Sequence, residues 1–283
     1  MDLINLVDPG PFDAPIVVVA FDAWVDAGAA SITAAEKLIA DAPVMATVDG
    51  DRIFDYRSRR PTLEIVDGRP SDITWPELAV RRVRAGGRDV LVFSGAEPDY
   101  RWRQLADDAV AFAKSVGVVE WISIGAIPAA VPHTRSVPVL GTAAWPGLLR
   151  GNVTPGPEGT LKVPSACLSV LDMAIARAGF AAIGYYAQVP HYISGAYPAA
   201  SVALLRAIGW HVGSELPTGD LVAEAEQLRA RLDAATAVDD TTRAYVERLE
   251  AMVDESRLPS GTDLIGDIER FLREGGDADD DRG

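Results

Sequence analysis

The stretch that decides the fold is residues 15–21, PIVVVAF. It is a continuous run of apolar and largely β-branched residues, which is typical of a strand buried on both faces. Residues 26–42, DAGAASITAAEKLIADA, then place apolar side chains at helical spacing, and residues 43–49, PVMATVD, have the composition of another strand. This part of the sequence therefore predicts a strand–helix–strand unit.

The same alternation continues further along the chain. A strand predicted at residues 88–95, RDVLVFSG, precedes a helix predicted over 102–116 and the strand VVEWISIGAI. A helix predicted over 165–179 is followed by the strand AAIGYYAQV and by a helix that begins near Tyr197. This alternation predicts an α/β fold, with three layers and a mostly parallel sheet that is covered by helices on both faces.

The composition changes near residue 217, beyond which only helical patterns occur. We predict an α/β core over 1–216, a helical subdomain of three helices over 217–275, and a disordered acidic tail over 276–283. Within the core, residues 49–75 read as short strands joined by Asp-Gly and Gly-Arg-Pro turns, which indicates an antiparallel edge or hairpin. Residues 151–161, GNVTPGPEGTL, are predicted to form a loop.

Charge and composition exclude several classes of partner. The 283 residues include 48% hydrophobic residues, enough for a large core, and carry a formal net charge of −15. Such a charge repels nucleic-acid phosphates and anionic lipid headgroups. The N-terminal sequence lacks the pattern of a signal peptide, and no run of about 18 apolar residues occurs. We therefore predict a cytoplasmic protein that binds neither nucleic acid nor membrane.

The familiar catalytic and cofactor motifs are absent from the sequence. It contains no phosphate-binding loop, no GxGxxG, no HExxH and no GxSxG; the nearest approach to a nucleophile elbow, WISIG around Ser123, lacks the first glycine. Cys167 is the one cysteine, and it lies in an apolar stretch that indicates a buried structural thiol. The sequence predicts no cofactor and no metal site, and it argues against an enzyme.

Polar and aromatic residues follow the predicted strands at their carboxyl ends. These ends gather at one edge of a parallel sheet, where ligand sites usually form. Two of the three histidines directly follow a Val-Pro dipeptide in such segments, VPHT and VPHY. The candidate ligand-binding residues are Trp24, Asp26, Glu97, Trp102, His133, Arg135, His191 and Tyr192.

These strand-end segments, taken together and in order, resemble the PAC2 (proteasome assembly chaperone 2) family in its actinobacterial branch. The segments are FDAWVDAG, GAEPDYRW, IPAAVPHTRSVPV, PSACLSVLDMAIARAG and QVPHYISGAYPAASVALL. The resemblance covers about residues 16–216, and relatives often have Asn where this chain has Val25. It implies a core similar to nucleoside phosphorylases, a homo-oligomer such as a trimer, and a partner that is proteasome-related or another copy of the chain. Eukaryotic relatives assist assembly of the proteasome without being enzymes.

Each candidate residue also has a structural interpretation. Asp26 can cap the following helix or act as a general base, and Glu97 can hold its loop, with Arg101 or Arg103 as a partner. His133 and His191 can anchor loops or contact a ligand. His211 has no motif around it and is predicted to be structural.

Two hypotheses about function follow. The first is a non-enzymatic assembly or interaction protein. The alternative is a small-molecule-binding protein, or a hydrolase or transferase, whose strand-end pocket takes a nucleoside-like or carboxylated ligand. This alternative requires Asp26, His133, Arg135 and His191 to converge.

Overall fold

The computed structural model of the protein describes residues 1–8, 10–157 and 159–256. Contacts between Cα atoms divide the chain into two compact units, of which the first comprises Met1–Leu232 and the second begins at Asp233. The predicted third helix of the helical subdomain and the predicted acidic tail lie outside the described residues. The boundary predicted after residue 216 stays a prediction.

The secondary-structure elements are numbered here in chain order. The strands are β1 Ile4–Leu6, β2 Ile16–Phe21, β3 Val44–Val48, β4 Thr62–Val66, β5 Arg69–Thr74, β6 Leu78–Ala85, β7 Arg88–Gly95, β8 Glu120–Ala129, β9 Val139–Ala143, β10 Thr154–Pro155 and β11 Ala181–Pro190. The helices are α1 Ala30–Ile39, α2 Gly50–Ile53, α3 Trp102–Val116, α4 Cys167–Arg177, α5 Pro198–Val212, α6 Leu221–Ala237 and α7 Asp240–Ser256.

Nine strands form one sheet in the order β1-β3-β6-β7-β2-β8-β11-β9-β10. The four central strands, β7, β2, β8 and β11, are parallel. Antiparallel pairs flank them, with β6, β3 and β1 on one side and β9 on the other. The predicted α/β fold is confirmed, and its sheet is mixed, with a parallel centre.

Side chains of the buried strand β2 alternate between the two faces of the sheet, as expected for a strand that is covered on both sides. Val17, Val19 and Phe21 pack in the hydrophobic core that includes α3 and α4, whereas Ile16, Val18 and Ala20 pack in the core that includes α1 and α5. The result is the predicted three-layer arrangement of helices, sheet and helices.

The long helices follow the apolar periodicity of the sequence. Helix α3 occupies the predicted range 102–116, and it ends at Gly117, whose φ of +71° is the left-handed conformation that glycine adopts readily. The helix predicted over 165–179 is shorter, since α4 extends from Cys167 to Arg177. None of the helices in the described part of the chain is both long and apolar enough to cross a membrane.

The position of β3 and the segment 151–161 differ from what the local sequence pattern predicted, whereas the hairpin agrees with it. Strand β3 follows α1, yet β7 and β6 separate it from β2 in the sheet. The segment 49–75 contains the predicted antiparallel hairpin, β4–β5, which forms a sheet of its own. The loop predicted over 151–161 includes one short strand, β10, which pairs with β9.

Candidate functional site

The carboxyl ends of the central parallel strands lie at one edge of the sheet, as the sequence predicted. Strands β8 and β11 pair in register as far as Ala129 and Pro190, whereas the pairing of β8 with β2 ends at Ser123. The segment that follows β2 therefore lies beside the continuation of β8, where Asp26 and Ala126 form an isolated bridge.

Asp22, the first residue after β2, connects three segments of this edge. Its Oδ2 atom lies 2.6 Å from Nη1 of Arg59, and its Oδ1 atom accepts a hydrogen bond of 2.9 Å from the backbone N–H of Glu97. Arg59 was not among the predicted site residues, because it belongs to the segment before the hairpin and no local pattern relates it to β2.

Glu97 binds the start of a helix. Its Oε1 atom accepts a hydrogen bond of 2.8 Å from the backbone N–H of Cys167, the first residue of α4. The carboxylate thus occupies a position that the helix dipole favours. The sequence suggested Arg101 or Arg103 as the partner of Glu97; Nη1 of Arg101 instead donates to Gln104.

The candidate residue Trp102 and the cysteine Cys167 both have structural roles. The indole Nε1–H of Trp102 donates a hydrogen bond of 2.6 Å to the carbonyl of Pro98, which closes the turn before α3. Cys167 is fully buried, and this burial, with the negative charges of Glu97 and Asp172, raises the pKa of its thiol. A protonated, buried thiol is a poor nucleophile, in agreement with a structural role.

Asp26 caps the start of α1. Its Oδ1 atom accepts hydrogen bonds from the backbone N–H of Ser31, at 2.6 Å, and from the Ser31 hydroxyl, at 2.8 Å. Burial raises the pKa of Asp26 above its ordinary value, although the two bonds from Ser31 oppose this effect. Trp24, two residues earlier, is 64% exposed.

The two Val-Pro-His loops lie side by side. The Tyr192 hydroxyl is 2.8 Å from the backbone N of His133 and 2.8 Å from its Nδ1 atom. The hydroxyl accepts the backbone N–H, and its contact with Nδ1 is a hydrogen bond whose direction depends on the tautomer of the ring. Tyr192 therefore fixes the position of His133.

His191 contacts the loop after β8 in a different way. Its backbone N–H donates a hydrogen bond of 3.1 Å to the carbonyl of Ala129, and its Nδ1 atom lies 3.0 Å from the same oxygen. A carbonyl only accepts, so Nδ1 of His191 carries the proton.

A cavity of about 400 Å³ adjoins the first of these loops. Its apolar wall comes from α5 and α6, and Tyr197 lies in the wall, where burial raises the pKa of its phenol to about 12. The polar residues that line it are His133, Arg135, Ser136, Arg206, Glu226 and Arg229. Of the eight predicted residues, His133 and Arg135 contribute to this cavity.

Four of the eight candidate residues belong to two hydrogen-bonded groups at the strand ends. One group joins the ends of β2 and β7 to α4 through Asp22 and Glu97. The other joins the ends of β8 and β11 through His133, Tyr192 and His191. Whether either group binds a ligand stays a prediction.

A polar cluster that no sequence pattern indicated lies between β8 and α4. The Ser123 hydroxyl donates a hydrogen bond of 2.5 Å to Oδ1 of Asp172, and Nε1 of Trp121 lies 3.1 Å from the same atom. Burial raises the pKa of Asp172 from 3.8 to about 7, although both hydrogen bonds oppose this effect. Ser123 lies within β8, fully buried, and not on a nucleophile elbow.

A second cluster lies at the start of β8 and includes His211, which the sequence predicted to be structural. The Nε2 atom of His211 is 2.6 Å from the hydroxyl of Tyr185, and its Nδ1 atom is 3.2 Å from Oε2 of Glu120. Burial would raise the pKa of Glu120, but His211, Arg150 and Arg88 together hold that pKa below its usual value. The ring is fully enclosed, so the cluster supports the fold.

Within the described residues, no three His, Cys, Asp or Glu side chains are grouped so that they could hold a metal ion.

A family model and solved structures both relate this chain to the same protein family. The model of the PAC2 family matches residues 20–236. A Corynebacterium glutamicum protein of unknown function is 28% identical, with a TM-score of 0.83 over 90% of this chain and 98% of its own. A proteasome-assembly chaperone homologue from Mycobacterium tuberculosis is 34% identical, with a TM-score of 0.74 over 82% and 99%. A PAC2 family protein from Streptomyces avermitilis is 33% identical, with a TM-score of 0.72 over 82% and 99%. No curated protein matches the chain.

Proposed function

Because this chain belongs to the PAC2 family, we propose that it is a non-enzymatic factor that binds proteins and assists the assembly of a complex. The observation that carries this proposal is the use of the strand-end carboxylates inside the fold. Asp22 binds Arg59, Asp26 caps α1, and Glu97 caps α4. Carboxylates that hold loops and helix starts in this way are not placed as a general base beside a nucleophile.

The proposed partner is a proteasome-related protein. The support comes from the relative that is described as a proteasome-assembly chaperone homologue, which is 34% identical to this chain over 82% of its length. We further propose that the protein acts in the cytoplasm, that its core is similar to that of nucleoside phosphorylases, and that it forms a homo-oligomer, with a trimer as the first candidate.

The test is a reconstitution with purified proteasome α and β subunits encoded by the same genome. The subunits are mixed with and without this protein, and assembly is followed by native mass spectrometry and size-exclusion chromatography. We expect a complex of defined stoichiometry between this protein and the α subunits, and faster formation of the complete particle. Unchanged assembly kinetics, together with the absence of any such complex, would overturn the proposal.

The alternative, a small-molecule-binding protein or a hydrolase or transferase, is supported by the cavity of about 400 Å³, which two of its four required residues line, His133 and Arg135, but not Asp26 or His191. That volume suits a nucleoside-like or carboxylated ligand. A thermal-shift screen with nucleosides, nucleotides and carboxylates tests this alternative, because a ligand that binds only the folded state raises the Tm. A stabilising ligand whose effect is lost in Arg206→Gln but kept in Lys114→Glu would favour it, and no shift with any compound would reject it.

A further inference from the structure

The hairpin β4–β5 is exposed on both of its faces. Every residue of the two strands is exposed, and the hairpin forms a two-stranded sheet separate from the main one. Leu63, Ile65, Ile73 and Trp75 are between 45 and 59% exposed. An isolated two-stranded hairpin is only marginally stable in water, and clustered exposed apolar side chains mark interaction sites. The hairpin therefore has the properties of a docking element.

The strand register separates the hairpin into an apolar face and an acidic face. Leu63 lies opposite Ile73 and Ile65 lies opposite Pro70, so these side chains share one face. Glu64 lies opposite Asp72 on the other face, here called the acidic face, which also carries Val66 opposite Arg69. Like charges directly opposite each other are unfavourable, and a positive charge placed between them would relieve the repulsion.

The two edges of the hairpin differ. Strand β5 contains Pro70, which has no N–H to donate, and the register shift between Glu64 and Ile65 places an additional residue, Ser71, on β5. Proline and bulges are the usual means of preventing further strand pairing. Strand β4 contains neither, so its outer edge is the one that can accept another strand.

A segment with the complementary pattern lies at the opposite edge of the main sheet. Residues 159–165 follow the outermost strand β10 and are all exposed. Within them, Leu161 and Val163 are each 66% exposed and flank Lys162, one of three lysines in the chain. Apolar residues at alternate positions suit a strand with one buried face.

We propose that β4 of one copy pairs antiparallel with residues 160–163 of a second copy. With Lys162 opposite Glu64, Leu161 lies opposite Ile65 and Val163 opposite Leu63. Leu161 and Val163 then extend the apolar face of the hairpin beside Leu63 and Ile65, and the ammonium group lies on the acidic face beside Glu64 and Asp72.

Topology makes this pairing intermolecular and gives it a direction. The hairpin leads into β6, near one edge of the nine-stranded sheet, whereas residues 160–163 follow β10 at the other edge. The two surfaces therefore pair head to tail between copies, which generates a closed ring if the rotation closes. The inference rests on the homo-oligomer in the proposed function but not on the proteasome-related partner.

Charge supplies the specificity of the pairing. At a net charge of −15, copies of this chain repel one another in general. A local attraction between Lys162 and the acidic face of the hairpin selects one mode of association against that background. This makes the interface sensitive to reversal of a single charge.

The test uses the full chain alone and reversed charges at the two positions. Self-association of wild type, Glu64→Lys, Lys162→Glu and the double variant is measured by sedimentation velocity and light scattering. We expect a defined oligomer for wild type, roughly tenfold weaker association for each single variant, and recovery in the double variant. Asp107→Lys and Lys114→Glu, exposed reversals on α3, are the matched controls and should associate like wild type.

Several outcomes would overturn the proposal. A monomeric wild type, single variants that associate as strongly as wild type, or a double variant as weak as the singles would each do so. A further contrary outcome is a monomeric protein in which deletion of residues 257–283 increases hydrogen exchange in β4. The segment that pairs with β4 would then be the chain's own C-terminal segment and not a second copy. No proteasome subunit is present, so failure here is distinct from failure of the assembly proposal.

Discussion

The side chain of Glu97 accepts a hydrogen bond from the backbone N–H of Cys167, with an Oε1–N distance of 2.8 Å across 70 residues of sequence. The backbone N–H of Glu97 in turn donates to Asp22, whose carboxylate also binds Arg59. The ends of β2 and β7, the segment before the hairpin and the start of α4 are thus connected through two carboxylates. The candidate site is therefore also a structural junction.

We predict that Glu97→Ala lowers the free energy of unfolding by about 1 kcal/mol, the typical effect of removing a helix cap. Glu97→Gln keeps an oxygen acceptor for the Cys167 amide and should lose less. Urea unfolding monitored by circular dichroism measures both changes. Equal stability of wild type and Glu97→Ala would contradict the capping role.

Tyr192→Phe removes the hydroxyl that lies 2.8 Å from both the backbone N and the Nδ1 atom of His133. The predicted loss of stability is about 1 kcal/mol, the net value of a typical protein hydrogen bond. Tyr100→Phe removes a hydroxyl that bonds Asp55 at an exposed position; it is the comparison variant and should cost less than Tyr192→Phe, because water replaces an exposed hydrogen bond. The NMR shift of the His133 Nδ1 atom should also change in Tyr192→Phe, because this nitrogen loses its contact with the hydroxyl. An unchanged Nδ1 shift would argue against this contact.

Asp172 should contribute to a decrease in stability with rising pH. Its pKa is about 7 in the folded protein and 3.8 ordinarily, so the folded state binds more protons than the unfolded state between these values. Stability therefore falls as the pH rises from about 4 to about 7, and it levels off above that range.

In Asp172→Asn this contribution is absent, because the amide does not titrate. Relative to the variant, wild type should lose on the order of 1–3 kcal/mol of stability between pH 5 and pH 8. Urea unfolding at several pH values measures the difference, with Asp107→Asn, at an exposed position on α3, as the control. Parallel pH profiles for wild type and Asp172→Asn would show that the Asp172 carboxyl does not titrate in this range.

Gly28 lies where the segment after β2 meets the start of α5. Its φ is +67°, a Cβ atom would lie 2.8 Å from Cβ of Tyr197, and its carbonyl accepts a hydrogen bond from the Tyr197 amide. Gly28→Ala should therefore combine backbone strain with a steric clash and cost more than about 1 kcal/mol.

The matched control for this change is Gly195→Ala. Gly195 has a φ of +87°, but a Cβ atom added there would meet nothing within 4 Å, so its substitution reports backbone strain alone. Thermal unfolding of both variants separates the two contributions. Equal losses in the two variants would mean that Tyr197 yields to the added methyl group at no cost.

The sequence by itself determined the class of the fold and the strands β2, β3, β7, β8 and β11, whereas β1, β6 and β9 were not predicted. The apolar runs that became β2 and β7 and the helical spacing in α3 are local patterns, and burial on two faces or on one stripe follows directly from them. A helix cap by Asp26 could be suggested from the sequence because its bonding partner Ser31 is only five residues away. A general base was the other interpretation of this residue. The strand ends were correctly placed at one edge because parallel strands share a direction.

Only the tertiary structure decided which distant segments meet. The separation of β3 from β2, the bond from Cys167 to Glu97, and the pairing of Asp172 with Ser123 depend on contacts between segments far apart in the chain. The exposure of the apolar hairpin face was also decided by the tertiary structure, because a strand pattern shows which residues share a face but not what covers that face. Local propensity is set by neighbouring residues, whereas these contacts are set by the packing of the whole core.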